Sequence, residues 1–81
     1  MRVYFTETAH EQLARLSHRL QTRIVTKLQF YTDQPDPLQF AEPLTGSREF
    51  RFRIGDHRVI FEVLNDTVWV TAIKRRDEAY R

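Results

Sequence analysis

The chain has 81 residues, 41% of them hydrophobic, and 13 Lys and Arg against 11 Asp and Glu leave a net charge of +2; this length supports one core, so residues 1–81 are read as a single domain. With no cysteine, a disulfide scaffold, a zinc ribbon and a thiol nucleophile are all excluded, and a reducing, cytoplasmic setting is expected. No apolar run exceeds three residues, far short of the roughly 20 that cross a membrane, and the first ten residues lack a signal-peptide core, so no membrane partner is expected.

Arg2 to Phe5 alternates polar and apolar residues with Val3 and Phe5 on one side, which predicts a short edge strand. Thr6 and Thr8 are both capping types, and Thr8 with Glu11 three residues on forms a capping-box pattern that opens a helix. From Glu7 to about Thr32 the series Ala9, Leu13, Leu16, Leu20, Ile24, Leu28 and Tyr31 advances by threes and fours, the spacing of one buried helical stripe. No Gly or Pro interrupts it, so one long helix and a helical hairpin both fit, with Ser17 the one plausible internal cap. The run Asp33 to Pro37, DQPDP, ends the helical region because its two prolines lack amide donors and force extended backbone before them. Leu38 to Leu44 carries no decisive pattern, and Thr45-Gly46-Ser47 is a turn.

Beyond Arg48 the period becomes two. Phe50, Phe52 and Ile54 alternate with Glu49, Arg51 and Arg53, and Gly55-Asp56 makes a turn. Val59, Phe61 and Val63 then alternate with Arg58, Ile60 and Glu62; Asn65-Asp66 makes a second turn, and Val68, Val70 and Ala72 alternate with Trp69, Thr71 and Ile73. The whole reads as an α+β fold, β-α-α-β-β-β, with a helical hairpin or one long helix packed on one face of a small antiparallel sheet.

Two-residue turns fix the register. One face then collects Phe50, Phe52, Val59, Phe61, Val63, Val68, Val70 and Ala72, an apolar surface to be covered by the helical stripe. The other sets Arg53 opposite Arg58 and Arg51 opposite Ile60, and a regular last strand carries Arg75 to the same side. Like charges directly opposite cost roughly 0.2–1 kcal/mol, so folding does not ask for this cluster. Two explanations stand: four guanidinium groups converge to bind an anion, or they form a solvated outer face bridged by Glu62 and Asp77. Eleven of the thirteen basic residues are arginine, which suits phosphate, although a GC-rich genome produces the same bias.

His10, His18 and His57 are scattered without carboxylates at ligand spacing, and Gly46 and Gly55 are the only glycines, so neither a metal site nor a phosphate loop is expected and no cofactor is implied. Metal-free phosphate chemistry remains, in which an RNA 2′-hydroxyl attacks its own phosphate, cations stabilise the crowded phosphorus, and Tyr80 offers a stacking surface for an unpaired base.

The segments REFRFRIGDHRVIFEV (48–63) and IKRRDEAYR (73–81) resemble the RelE/ParE superfamily of type II toxins, and the order of elements matches along the whole chain. RelE-type members are the nearer likeness. The resemblance implies a ribosome-dependent endoribonuclease that cuts mRNA without metal. It matches the strand positions to Arg51 and Arg53, the hairpin position to Arg58, the late strand position to Arg75 and the terminal aromatic to Tyr80. It further implies a cognate antitoxin that covers the basic face, the ribosome and mRNA as partners, and DNA contacted only through the antitoxin complex. Arginines stand where the best-known pattern has lysines, and a guanidinium is a poor general base. The proton acceptor is then Glu49 or another group, or the 2′-hydroxyl is activated mainly by charge. The ParE-type alternative implies inhibition of DNA gyrase with no nuclease, and a third reading is a toxin homologue that the exchanges have left weak or inactive.

Overall fold

The computed structural model describes residues 1–76. Strand β1 (Arg2–Phe5) leads into helix α1 (Glu7–Ala14), and helix α2 (His18–Thr32) follows after three residues. The predicted helical region is therefore a hairpin of two helices, and Ser17 separates them: its Oγ accepts from the Leu20 amide at 3.2 Å. The first cap differs from expectation. Thr6 rather than Thr8 occupies it, with Oγ1 accepting from the Ala9 amide at 3.2 Å, because the chain leaves β1 at Phe5 and Thr6 is already tied to the sheet through its own amide on the Val70 carbonyl.

Pro37–Phe40 forms a single 3₁₀ turn, and the unassigned stretch after it holds a two-residue strand, β2 (Glu42–Pro43). The meander follows as β3 (Phe50–Ile54), β4 (His57–Leu64) and β5 (Thr67–Arg75). The sheet order is β1-β5-β4-β3-β2, with β1 parallel to β5 and every other pairing antiparallel. The sheet is thus mixed rather than antiparallel throughout: β1 runs in the same direction as β5, and the two helices carry the chain from that edge to β2 at the other. Pro43 is tolerated because β2 is an edge.

Both hairpin turns take the twist-matched forms. Gly55 has φ +60° at the first central position, and Asn65 and Asp66 have φ +50° and +57°, a conformation that Asn and Asp reach more readily than bulkier residues. The first hairpin has the predicted register, with Phe50 opposite Phe61 and Arg53 opposite Arg58. The second begins as predicted, Leu64 opposite Thr67 and Phe61 opposite Val70, and then slips: Ile60 faces Ala72, Val59 faces Ile73, Arg58 faces Lys74 and His57 faces Arg75. Thr71 is the extra residue of a β-bulge, and everything after it changes face.

The consequences for packing are direct. Ile73 is buried in the core with Ala9, Ile24, Leu28, Phe52, Ile54, Val59, Phe61, Val68 and Val70, while Ala72 is displaced to the opposite side. Phe50, Phe61, Phe52, Tyr31 and Phe40 stack in sequence at centroid distances of 5.7, 4.4, 4.8 and 5.0 Å, joining β3 and β4 to α2 and the 3₁₀ turn. Each such pair adds roughly 0.5–1.5 kcal/mol beyond its area burial. Because β1 accompanies β5 only as far as Val70, the amide of Ile73 has no strand beside it; it donates to Gln12 Oε1 on α1 at 2.7 Å. Replacing Gln12 by Leu strands that part-buried donor, and urea unfolding is expected to register a loss of about 1–3 kcal/mol. An unchanged midpoint would mean the amide finds water instead.

Candidate nucleic-acid interface

The face of the sheet turned away from the helices carries Glu42 on β2, Arg51 and Arg53 on β3, and Arg58 on β4, as the alternation in each strand requires. Pairing Glu42 with Arg51 puts a carboxylate on the outer side of the arginine rows. Glu42 Oε2 accepts from Arg51 Nη2 at 2.9 Å, while Arg53 meets both oxygens, with Nε 2.7 Å from Oε1 and Nη2 3.2 Å from Oε2. Arg53 therefore turns toward Glu42, which offsets its repulsion with Arg58 across the hairpin. Among the described residues the carboxylate that bridges the arginines is this one rather than Glu62, and Asp77, the other residue read from the sequence, lies outside them. Glu42 escaped notice because its two-residue strand leaves no periodicity to detect.

Arg58 behaves differently. It is only 3% exposed, its Nη1 reaches the His57 carbonyl at 3.5 Å, and its Nε has no hydrogen-bond partner among the described residues. An enclosed guanidinium with no carboxylate beside it among those residues is costly, since desolvation of the charge is not repaid by an ion pair. Opposite it on β5 stands Lys74, exposed, which the bulge delivers to this face. The same slip removes Arg75, which pairs with His57 and belongs to the helix side of the sheet. The expectation of Arg75 beside Arg58 is thereby corrected: Arg51, Arg53, Arg58 and Lys74 share the open face, and Arg75 does not. Tyr80 lies outside the described residues.

This sequence and this fold match known proteins. The sequence model of the ParE toxins of type II toxin–antitoxin systems matches residues 3–80. The chain belongs to that family. No curated protein matches it by sequence. Among solved structures, a chain of the Mycobacterium tuberculosis RelBE2 toxin–antitoxin complex aligns with a TM-score of 0.77 at 26% identity, covering 93% of this toxin and 96% of that chain. The isolated Escherichia coli RelE toxin aligns at 0.76 with 16% identity over 98% and 89% of the two chains. A chain of the Pseudomonas aeruginosa ParDE system aligns at 0.72 with 15% identity over 93% and 95%. The last two likenesses are of fold alone, and RelE and ParE structures both share it.

Around the arginines the toxin places further polar and aromatic groups. Thr71 Oγ1 lies 3.0 Å from Glu49 Oε2 and 3.3 Å from the Ile60 carbonyl, so its single proton serves one of them at a time and Glu49 is held at the rim by the bulge residue. Tyr4 and Trp69, neighbours across β1 and β5, stack at 5.1 Å and are 45% and 36% exposed on the same open face. Among the described residues no group of three or more His, Asp or Glu is arranged to hold a metal ion, and no helix is long and apolar enough to cross a membrane.

Two consequences follow from these charges. The hydrogen bond from Arg51, with the fields of Arg53 and Arg51 added and partial desolvation opposing, lowers the Glu42 pKa below its ordinary 4.5. A depressed folded pKa stabilises the fold above the ordinary value, and the contribution is lost as pH falls through the folded one. Thermal melts should show wild type above Glu42→Gln at neutral pH, with the gap narrowing as pH falls below the ordinary carboxylate range; a gap independent of pH would locate the effect elsewhere. For Arg58, replacement by Met removes an enclosed cation and keeps the chain volume, so stability is expected to hold or rise by about 1 kcal/mol. A marked drop in melting temperature would show that Arg58 supports the fold.

Proposed function

We propose that this toxin is a ribosome-dependent mRNA endoribonuclease whose open sheet face grips the scissile phosphate. The observation that carries the reading is Arg58, a desolvated guanidinium without a carboxylate among the described residues, flanked in register by Arg53 and Lys74. A cation held this way gains most when a phosphate supplies the missing negative charge, and more still as charge grows at phosphorus. Arg51 and Arg53 would exchange Glu42 for phosphate oxygens. In this scheme the 2′-oxygen forms a bond to phosphorus, its proton passes to a base, and the bond to the 5′-oxygen breaks as that oxygen takes a proton from water, leaving a cyclic phosphate and a 5′-hydroxyl.

Glu42 is well suited to be that base. It is ionised and half-exposed, and when Arg51 and Arg53 turn from it to the phosphate the pull that lowers its pKa is relieved, which raises its basicity and lets it supply the acceptor that arginine cannot. Tyr80, and Arg75 from the reverse side of the sheet, are carried over from the family likeness alone. The partner is a cognate antitoxin, since the M. tuberculosis relative was solved in a toxin–antitoxin complex; covering the open face would silence the arginines.

A second reading is supported by the ion pairs. If Arg51 and Arg53 are committed to Glu42 as structure, the toxin has no active set and acts as a ParE-type inhibitor of DNA gyrase, in line with the family model. A translation extract separates the two. Ribosome-dependent cuts in mRNA are expected from wild type, reduced about a hundredfold or more by Arg51→Ala with Arg53→Ala and by Glu42→Gln on the scale of a lost general base, about 10²–10⁴. Faster cutting by Glu42→Gln would make Glu42 a lock rather than a base. Intact mRNA together with blocked supercoiling would establish the inhibitor.

A further inference from the structure

On the helix side of the sheet lies a cleft of about 630 Å³ between the α1–α2 connection, the first turns of α2, the β3–β4 turn and the end of β5. Its floor is apolar, from Leu16, Leu20, Ile24 and Ile54, and its rim is cationic, from Arg15, Arg23 and Arg75. Neither Arg15 nor Arg23 forms an ion pair among the described residues, although Asp56 lines the same cleft. The N-terminus of the 15-residue α2 opens here, and Ser17 satisfies one of its free amides while accepting from Leu20.

A second observation is independent of that helix end. His57 lines the cleft, is 7% exposed, and its Nε2 is enclosed with no hydrogen-bond partner among the described residues. Buried polar nitrogens are almost always bonded, so one left open beside a basic cleft points to an acceptor or donor supplied from outside. The hairpin turn presses the site together. A Cβ at Gly55, whose φ is +60°, would sit 3.3 Å from Arg23 Cζ, so the guanidinium lies directly over the turn, while the Arg76 amide fastens β5 to the Asp56 carbonyl at 2.7 Å.

We propose that this cleft is a phosphate-binding site, separate from the arginines of the open face, in which Arg15, Arg23, His57 and the α2 N-terminus hold one phosphate group. Two planar donor forks, an imidazole and helix amides match the several oxygens of a phosphate better than the two of a carboxylate. The assignment does not depend on nuclease activity, since it rests on the opposite side of the sheet. The phosphate comes either from a polynucleotide backbone or from a terminal or free phosphate.

The test is titration of the isotope-labelled full chain with inorganic phosphate, followed by the His57 ring signals and the Gly55 and Asp56 amides. Saturable shifts are expected. Arg15→Ala with Arg23→Ala, both exposed positions without an ion pair among the described residues, should fold normally and is expected to weaken binding about tenfold or more for the lost charge-assisted bonds. Arg53→Ala should leave the affinity unchanged. Competition by a short single-stranded RNA lacking a terminal phosphate identifies the backbone as the source; competition by a nucleoside monophosphate alone identifies a terminal phosphate. The site is refuted if the shifts are linear, if chloride at equal ionic strength reproduces them, if the double variant binds as wild type does, or if a glutamate-rich peptide displaces phosphate where both phosphate competitors fail.

Discussion

A single inserted residue in the last strand governs how this sheet distributes its charge. Regular pairing through Val70 and Phe61 would carry Ile73 and Arg75 to the open face and leave Ala72 against the helices. Thr71 breaks the alternation, so Ile73 enters the core at 5% exposure, Lys74 faces Arg58, and Arg75 joins His57 on the helix side. The energetic reason is burial: exchanging Ala72 for Ile73 beneath α1 gains a larger apolar side chain, worth on the order of 1–2 kcal/mol at about 25 cal/mol per Å². The disturbed ladder is repaired locally, by Gln12 on the Ile73 amide and by Thr71 itself on the Ile60 carbonyl. Packing thus sets the face on which the late basic residues appear.

Electrostatics then divides the arginines into three conditions. Arg51 and Arg53 are neutralised by Glu42, Arg58 is enclosed without a carboxylate among the described residues, and Arg15 and Arg23 stand at a cleft behind the sheet with no ion pair there. A protein selecting only for stability would pair or expose a group such as Arg58, since a buried unpaired charge forfeits several kcal/mol of hydration. Arg15 and Arg23 are exposed and lose no such hydration, so the cost falls on the Arg58 side of the β3–β4 hairpin. Membership of the ParE toxin family places these charges in a type II toxin–antitoxin system.

Much of the architecture was readable because it depends on local rules. The helical stripe, the DQPDP stop, the Ser17 cap and the two hairpin turns each follow from residue types at fixed spacing, and the register of the first hairpin follows from its turn by arithmetic. The edge strand at Glu42–Pro43 is too short to carry a period, and the shift from Thr8 to Thr6 at the first cap reflects a bond to Val70, sixty-four residues away. Neither leaves a trace that neighbours in the chain could report.

The order of elements, the apolar faces and the gathering of Arg51, Arg53 and Arg58 on one side of a hairpin were properties of the sequence, since turn chemistry and period two leave no other arrangement. The partner of those arginines, the burial of Arg58, the side on which Arg75 falls and the cleft around His57 were decided by the tertiary structure. Each depends on contacts between strands and helices far apart in the chain, where one bulge residue exchanges the faces and a two-residue strand supplies the carboxylate.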